Sequence, residues 1–131
     1  MSNLSPGING EKSVAVTIEN TALAMGSGTL RVFATPAMIA LCEACCAESV
    51  EDLLPEGITS VGTKVDIEHL AASPLGASIF CKSTLVAAED RRLEFELEVY
   101  DNAGLIGKGT HTRFTIDAQK FLDKTYAKIK R

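Results

Sequence analysis

The chain has 131 residues, of which 46% are hydrophobic and 23% charged, and its formal net charge is -4. This length and composition predict one folded domain over residues 1–131 with its own hydrophobic core. An acidic chain lacks the basic stripe that neutralises phosphates, so nucleic acid is not expected as a partner. No apolar run reaches the ~18 residues of a membrane span, and no secretory signal is evident, so we expect a cytoplasmic protein that does not enter membranes.

The first elements along the chain are a strand, a loop and a long helix. Residues 13–18 alternate apolar and small polar side chains, which predicts a half-buried strand, and the glycines of residues 21–30 indicate a loop. Thr35 is then a candidate N-cap, with Pro36 at the first helical position, where its missing N–H costs little. We expect this helix to run to about Leu53 and to stop before Pro55.

The remainder reads as strands joined by turns, followed by a last helix. Alternating side chains or apolar stretches between turns predict strands at residues 61–69, 76–87, 93–99 and 105–116. Asp117 is a candidate N-cap for a C-terminal helix rich in lysine. Consecutive strands with short connections favour antiparallel pairing, and one long apolar helix against one sheet gives a two-layer α+β domain.

The chain has four cysteines, Cys42, Cys45, Cys46 and Cys81. Three lie on the predicted helix, and without a secretory signal they indicate buried, reduced thiols rather than a disulfide framework. Cys42 and Cys45 have the spacing of a zinc-ligand pair, but only His69 and His111 are available to complete the site. We therefore expect no metal ion.

Glu43 is the only charged side chain between Val32 and Ala47. At 100° per residue it lies in the middle of the apolar face of the predicted helix, within about 60° of Ile39 and Val50 and opposite Asp52. Carboxylates in such surroundings are seldom left unpaired. Glu43 is therefore a candidate acid, base or hydrogen-bond anchor.

Two further polar residues accompany Glu43. His69 lies on the apolar side of its strand, and Thr35 lies at the helix start. Helix capping alone would account for Thr35, a structural role in the core would account for His69, and Glu43 could simply bind a backbone amide. Thr35 and Glu43 are also roughly 12 Å apart on one straight helix, so a shared site requires either His69 between them or a second subunit.

Three short motifs occur in a particular order. They are AT-x7-E from Ala34 to Glu43, GT-x5-H from Gly62 to His69, and GxGTHxR from Gly107 to Arg113. Together they resemble the hotdog-fold acyl-CoA thioesterases, most closely the fluoroacetyl-CoA thioesterase-like group. The resemblance covers residue 32 to the C-terminus and implies an antiparallel sheet wrapped around a long central helix, with a C-terminal helix.

The resemblance also implies an enzyme and a site. Thr35, Glu43 and His69 would be the catalytic residues, and Gly62 would line the acyl pocket. Glycines on the same side of the last strand as His111 indicate close approach of a backbone or a ligand, so Gly109, His111 and Arg113 are further candidates for substrate binding. The expected assembly is a homodimer with a composite site at its interface, or a tetramer built from such dimers.

The implied reaction is hydrolysis of an acyl-CoA to free acid and coenzyme A, without a metal or redox cofactor. Residues 21–31 contain no Phe, Tyr or Trp, so the aromatic lid of the family is not evident. A short- or medium-chain acyl-CoA is therefore expected rather than fluoroacetyl-CoA alone. A hotdog hydratase or dehydratase, and a non-catalytic acyl-CoA-binding module, are the alternatives that the fold leaves open.

Overall fold

A computed structural model describes residues 4–129 as one antiparallel sheet packed against one long helix. The strands are β1 (Asn9–Ala15), β2 (Ile58–His69), β3 (Ser78–Glu89), β4 (Arg92–Tyr100) and β5 (Leu105–Asp117). The helices are α1 (Ala22–Met25), α2 (Thr35–Glu51) and α3 (Ala118–Tyr126), with single 3-10 turns at Ile18–Asn20 and Ala127–Ile129. This is the predicted two-layer α+β domain. None of the helices in residues 4–129 is long and apolar enough to cross a membrane.

The core lies between α2 and the sheet, and α2 contacts all five strands. The helix buries Met38, Leu41, Cys42, Cys45, Cys46 and Val50. Facing it are large apolar side chains such as Leu85, Phe95 and Ile106. Each such side chain contributes about 1.5–3 kcal/mol when fully buried, so this one contact holds most of the fold. All four cysteines are buried free thiols, as predicted.

The sheet order is β1-β3-β4-β5-β2, which corrects the predicted pairing at one place. Consecutive strands pair from β3 to β5, but β2 lies beside β5 at the far edge and not beside β3. The connection over residues 70–77 is longer than the roughly two to five residues of a hairpin loop, so it can cross from one edge of the sheet toward the other. As a result, β2 is an edge strand with one row of unpaired backbone groups.

Two local predictions near the N-terminus were also wrong. Strand β1 occupies Asn9–Ala15 and not residues 13–18, because Ile18 enters a 3-10 turn in which the Thr17 amide donates to Asn20 Oδ1 at 2.9 Å. The segment after it is not loop throughout, since it contains α1, whose N-cap Thr21 accepts a hydrogen bond from the Ala24 amide at 3.3 Å.

The start of the long helix differs from the prediction, and this difference affects the site. The N-cap of α2 is Ala34, which has no capping side chain, and Thr35 is the first helical residue. The predicted capping role of Thr35 is therefore wrong, and its hydroxyl is available for another partner. At the other end of the chain, Asp117 does cap α3, accepting from the Lys120 amide at 3.0 Å.

Close backbone packing joins β5 to the edge strand at Gly109. A Cβ atom on this residue would overlap the carbonyl oxygen of Asp66 and lie 2.8 Å from the Ile67 Cα atom. Both atoms belong to the backbone of β2. This close approach accounts for the glycine, while its predicted role in substrate binding stays a prediction.

We expect Gly109→Ala to lower the free energy of unfolding by about 1–3 kcal/mol, because backbone atoms cannot rotate away from the added methyl group. Urea unfolding would measure the change. Thr110→Ala, at the exposed neighbouring position, serves as the matched control. Equal unfolding midpoints for the two variants would contradict the expectation.

Candidate active site

Thr35 and His69 form a hydrogen-bonded pair, with Thr35 Oγ1 2.8 Å from His69 Nδ1. The threonine begins α2 and is exposed, whereas the histidine ends β2 and is half-buried. A hydroxyl next to an imidazole is the arrangement that activates oxygen nucleophiles in many enzymes. The structure therefore brings together two of the three residues predicted to be catalytic.

Backbone hydrogen bonds fix both partners of this pair. Just before the threonine, the Ala34 amide donates to the Asn20 carbonyl at 2.9 Å. Just after the histidine, the Leu70 amide donates to the Ile106 carbonyl at 2.7 Å. The pair is thus held by the ends of two regular elements rather than by a loop of its own.

The surroundings of His69 favour its neutral form. Its Nε2 atom is buried without a hydrogen-bond partner among residues 4–129, and the edge of its ring meets Phe33 at a centroid distance of 6.5 Å. Burial lowers the pKa of His69 below its ordinary value of 6.5, while the Ala71 backbone acts in the opposite direction. A neutral imidazole can accept a proton from the Thr35 hydroxyl.

A cavity of about 340 Å³ opens beside the pair. Thr35 and His69 line it together with small or apolar side chains such as Ala22, Val32 and Leu70. Such a wall offers little hydrogen bonding and suits the hydrocarbon part of a ligand whose polar carbon is presented to the hydroxyl.

Glu43 belongs to a different group of side chains, gathered around Gly62. A Cβ atom on Gly62 would lie 2.7 Å from Glu43 Oε2, 2.9 Å from His111 Cε1 and 3.2 Å from Arg113 Nη1. Within residues 4–129 the Glu43 carboxylate makes no hydrogen bond or ion pair of its own. The carboxylate therefore lies close to the Arg113 guanidinium without forming an ion pair with it.

The position of Glu43 on α2 also differs from the prediction. The buried face of the helix passes through Cys42 and Cys46, whereas Ala40 is exposed and Glu43 itself is half-buried. Glu43 therefore lies on the flank of the buried face and not at its middle. The helix face around it is apolar in sequence but is not covered by the chain itself.

His111 and Arg113 are joined in a buried network that anchors this second group. Arg113 donates from Nε to Ser60 Oγ and from Nη2 to the Ser60 carbonyl, both at 2.8 Å, and its Nη1 lies 3.1 Å from His111 Nε2. Burial lowers the pKa of Arg113, and the Glu43 carboxylate opposes that shift. Sequence reasoning missed Ser60, although a buried arginine always requires acceptors from its neighbours.

The two groups lie far apart within one chain. Gly62 and His69 are seven residues apart on β2, which at about 3.3 Å per residue corresponds to roughly 20 Å. One chain therefore carries two separate groups of polar side chains, the Thr35–His69 pair and the Gly62–Glu43 group. Among residues 4–129 there is also no group of three His, Cys, Asp or Glu side chains placed to bind a metal ion.

An antiparallel sheet packed around one long central helix is the architecture of the hotdog fold. The model of the fluoroacetyl-CoA-specific thioesterase family matches residues 16–119. The fluoroacetyl-CoA thioesterase of Streptantibioticus cattleyicolor is 36% identical over 97 residues, which are 74% of this chain and 70% of that protein. The chain belongs to this family, and it is a hydrolase of thioester bonds.

Solved structures agree with this assignment. The structure of the fluoroacetyl-CoA thioesterase FlK is 28% identical, with a TM-score of 0.92 over 98% of this chain and 99% of that chain. A hot-dog-like protein from Thermanaerovibrio acidaminovorans, at 20% identity, has a TM-score of 0.89 over 98% of this chain and 95% of its own, which shows the fold. The predicted hotdog fold is therefore confirmed.

The lowered pKa of His69 predicts the pH dependence of hydrolysis. The neutral ring is the active base, so kcat/KM should rise with pH along a limb whose midpoint lies below 6.5, the ordinary pKa of histidine. A kcat/KM profile between pH 5 and 8 would measure this limb, with the ring protons of His69 followed by NMR in parallel. A limb centred clearly above 6.5 would contradict the prediction.

Proposed function

We propose that this chain hydrolyses short- or medium-chain acyl-CoA thioesters to free acid and coenzyme A, without a metal or redox cofactor. The observation that carries the proposal is the 2.8 Å contact between Thr35 Oγ1 and His69 Nδ1 beside an apolar cavity. Family membership supports thioester chemistry at this site. The predicted cytoplasmic location belongs to the same proposal and is supported by the four free thiols.

The acyl group is proposed to be less restricted than fluoroacetyl. The segment over residues 21–31 has no aromatic side chain, and its contribution to the cavity wall includes Ala22 and Ser27. Small side chains exclude less volume than an aromatic lid. Discrimination between acyl groups that differ by one methylene is then expected to be modest, on the order of tenfold.

In the proposed mechanism, His69 takes a proton from the Thr35 hydroxyl or from a water molecule that Thr35 holds. The oxygen attacks the thioester carbonyl, the C–S bond breaks, and the leaving thiolate receives the proton from the imidazolium. If Thr35 itself attacks, water then hydrolyses the acyl-threonine ester. First-turn N–H groups of α2 lack intrahelical acceptors, and those of Thr35 and Ala37 are candidates to stabilise the oxyanion.

Glu43 is proposed to act through a second copy of the chain. Strand β2 has a free edge, and the helix flank beside Glu43 carries the exposed Ala40 and the half-buried Ile39. Antiparallel pairing of two β2 edges reverses direction across a twofold axis near Val65, so the Gly62 end of one copy meets the His69 end of the other. Glu43 would then accept a hydrogen bond from the second copy's imidazole and orient the ring, so that the Thr35–His69 pair of one copy and the Gly62–Glu43 group of the other are the two half-sites of one active site.

A thiol-release assay over a panel of acyl-CoAs tests the reaction. We expect turnover by the wild-type protein and a loss of roughly a hundredfold or more in kcat/KM for His69→Ala and Glu43→Ala, because each removes a proton-handling group. Thr35→Ser retains the hydroxyl and serves as the matched control for Thr35→Val. Hydration of an enoyl-CoA without thiol release would indicate a hydratase instead, and tight acyl-CoA binding without turnover would indicate a binding module.

Subunit mixing tests the composite site. Refolding Glu43→Ala and His69→Ala chains together makes about half of the dimers mixed, and each mixed dimer has one intact composite site, so about a quarter of wild-type activity should return. If both residues act within one chain, every site in the mixture is defective and no activity returns. Refolding each variant alone is the control, and sedimentation would verify that dimers form.

A further inference from the structure

His111 is almost completely buried, with 1% of its surface exposed, and the proposed mechanism does not use it. Its Nδ1 atom lies 2.7 Å from the Lys64 carbonyl oxygen, which can only accept, so Nδ1 carries the proton. Its Nε2 atom lies 3.1 Å from Arg113 Nη1, which can only donate, so Nε2 is unprotonated. The two contacts therefore select one neutral tautomer of the ring.

Hydrogen bonds fix the orientation of the Arg113 guanidinium. Ser60 accepts from Nε and Nη2, and His111 accepts from Nη1. Nη1 is also the guanidinium nitrogen nearest to Gly62, 3.2 Å from where its Cβ would lie, and it keeps a second N–H beyond the one given to His111. The position of this donor over Gly62 thus depends on the acceptor that His111 supplies.

We propose that His111 is a positioning residue of the Gly62–Glu43 half-site: its neutral ring links the Lys64 carbonyl to Arg113 and keeps the guanidinium against Gly62 beside the Glu43 carboxylate. This replaces the predicted contact of His111 with substrate by an indirect role, and it rests on the proposed function. The ring positions Arg113 by offering an unprotonated nitrogen as a hydrogen-bond acceptor. A side chain of equal size without an acceptor would leave the Arg113 donor buried and unpaired.

The same geometry makes the arrangement sensitive to acid. Protonation of Nε2 would place two donors and two positive charges against each other, so Arg113 would have to move away from the ring. Burial and the charge of Arg113 lower the pKa of His111, whereas the Lys64 carbonyl and the Glu43 carboxylate raise it. Burial also lowers the pKa of Arg113, whereas the Glu43, Cys46 and Glu51 side chains on α2 raise it, so the guanidinium stays charged next to the ring.

The kinetic test is a double-mutant cycle. His111→Phe should lower kcat/KM by roughly tenfold to a hundredfold, because it removes the acceptor of a buried charged donor. His111→Gln retains a donor and an acceptor and should recover most of that loss. In the Arg113→Met background, His111→Phe should cost less than about threefold, because the ring acts only through Arg113. The proposal would be overturned if the losses in kcat/KM from the two substitutions simply multiplied in the double variant. It would also be overturned if His111→Gln were no more active than His111→Phe.

An NMR measurement decides the question without catalysis. The Arg113 Nε–H signal should be protected from solvent exchange in the wild-type protein and in His111→Gln, and should broaden in His111→Phe. On acidification the wild-type signal should be lost at a higher pH than that of His111→Gln, whose side chain does not titrate. An unchanged signal in His111→Phe would overturn the proposal. If no acyl-CoA is hydrolysed, the proposed function fails, but this measurement still tests the role of His111. If His111→Phe does not fold, the comparison of the wild-type protein with His111→Gln on acidification is the test.

Discussion

The pairing of β5 with β2 is the contact on which the rest of the site depends. Strand β2 is at the sheet edge and has only this one neighbour, yet it carries Gly62 near one end and His69 at the other. Gly107 stands opposite His69, and Arg113 stands opposite Gly62. Because β5 is itself paired with β4, the edge strand is joined to the middle of the sheet along its length. Both groups of site residues therefore depend on this one strand pair for their positions.

Burying the Arg113 guanidinium costs desolvation free energy, which the neighbouring polar residues offset. A buried guanidinium loses its hydration, which is unfavourable unless its donors are satisfied and a negative charge lies close by. Ser60 and His111 satisfy three donors, and the half-buried Glu43 supplies the charge. In other proteins, well-packed apolar groups of similar size are often at least as stabilising as buried charges. Retaining a cation here is consistent with selection for a task rather than for stability.

Much of the fold could be predicted from the sequence, because it follows from side-chain periodicity. The alternation in β4 and the cap at Asp117 are local signals, and both matched the structure. The crossover of β2 could not be predicted in this way, since strand order depends on contacts between distant segments. Thr35 was misread as a cap because a threonine before a proline at a helix start fits capping equally well. In the structure Thr35 is instead the first helical residue, and its hydroxyl contacts His69.

The residues of the site could be predicted from the sequence, but their separation into two groups within one chain could not. The motifs identified Thr35, Glu43 and His69, and the helical spacing already excluded direct contact between the first two. The packing of α2 on β2 places Glu43 next to Gly62, and the register of β5 on β2 adds Arg113. No local pattern in the sequence encodes either contact. Ser60 had no motif to mark it, and only the demand of a buried arginine for acceptors explains its presence.

The seven-residue spacing from Gly62 to His69 has an evolutionary consequence. Side chains of a strand alternate between its faces, and the β-bulge between Gly62 and Lys64 is what brings His69, seven residues on, to the same face as Gly62. Inserting or deleting one residue in this interval would turn the imidazole to the outer face of the sheet. Substitutions on that outer face, at Lys64 or Glu68 for example, leave the alternation intact. Relatives that keep this chemistry should accordingly vary in composition along the strand while conserving its length.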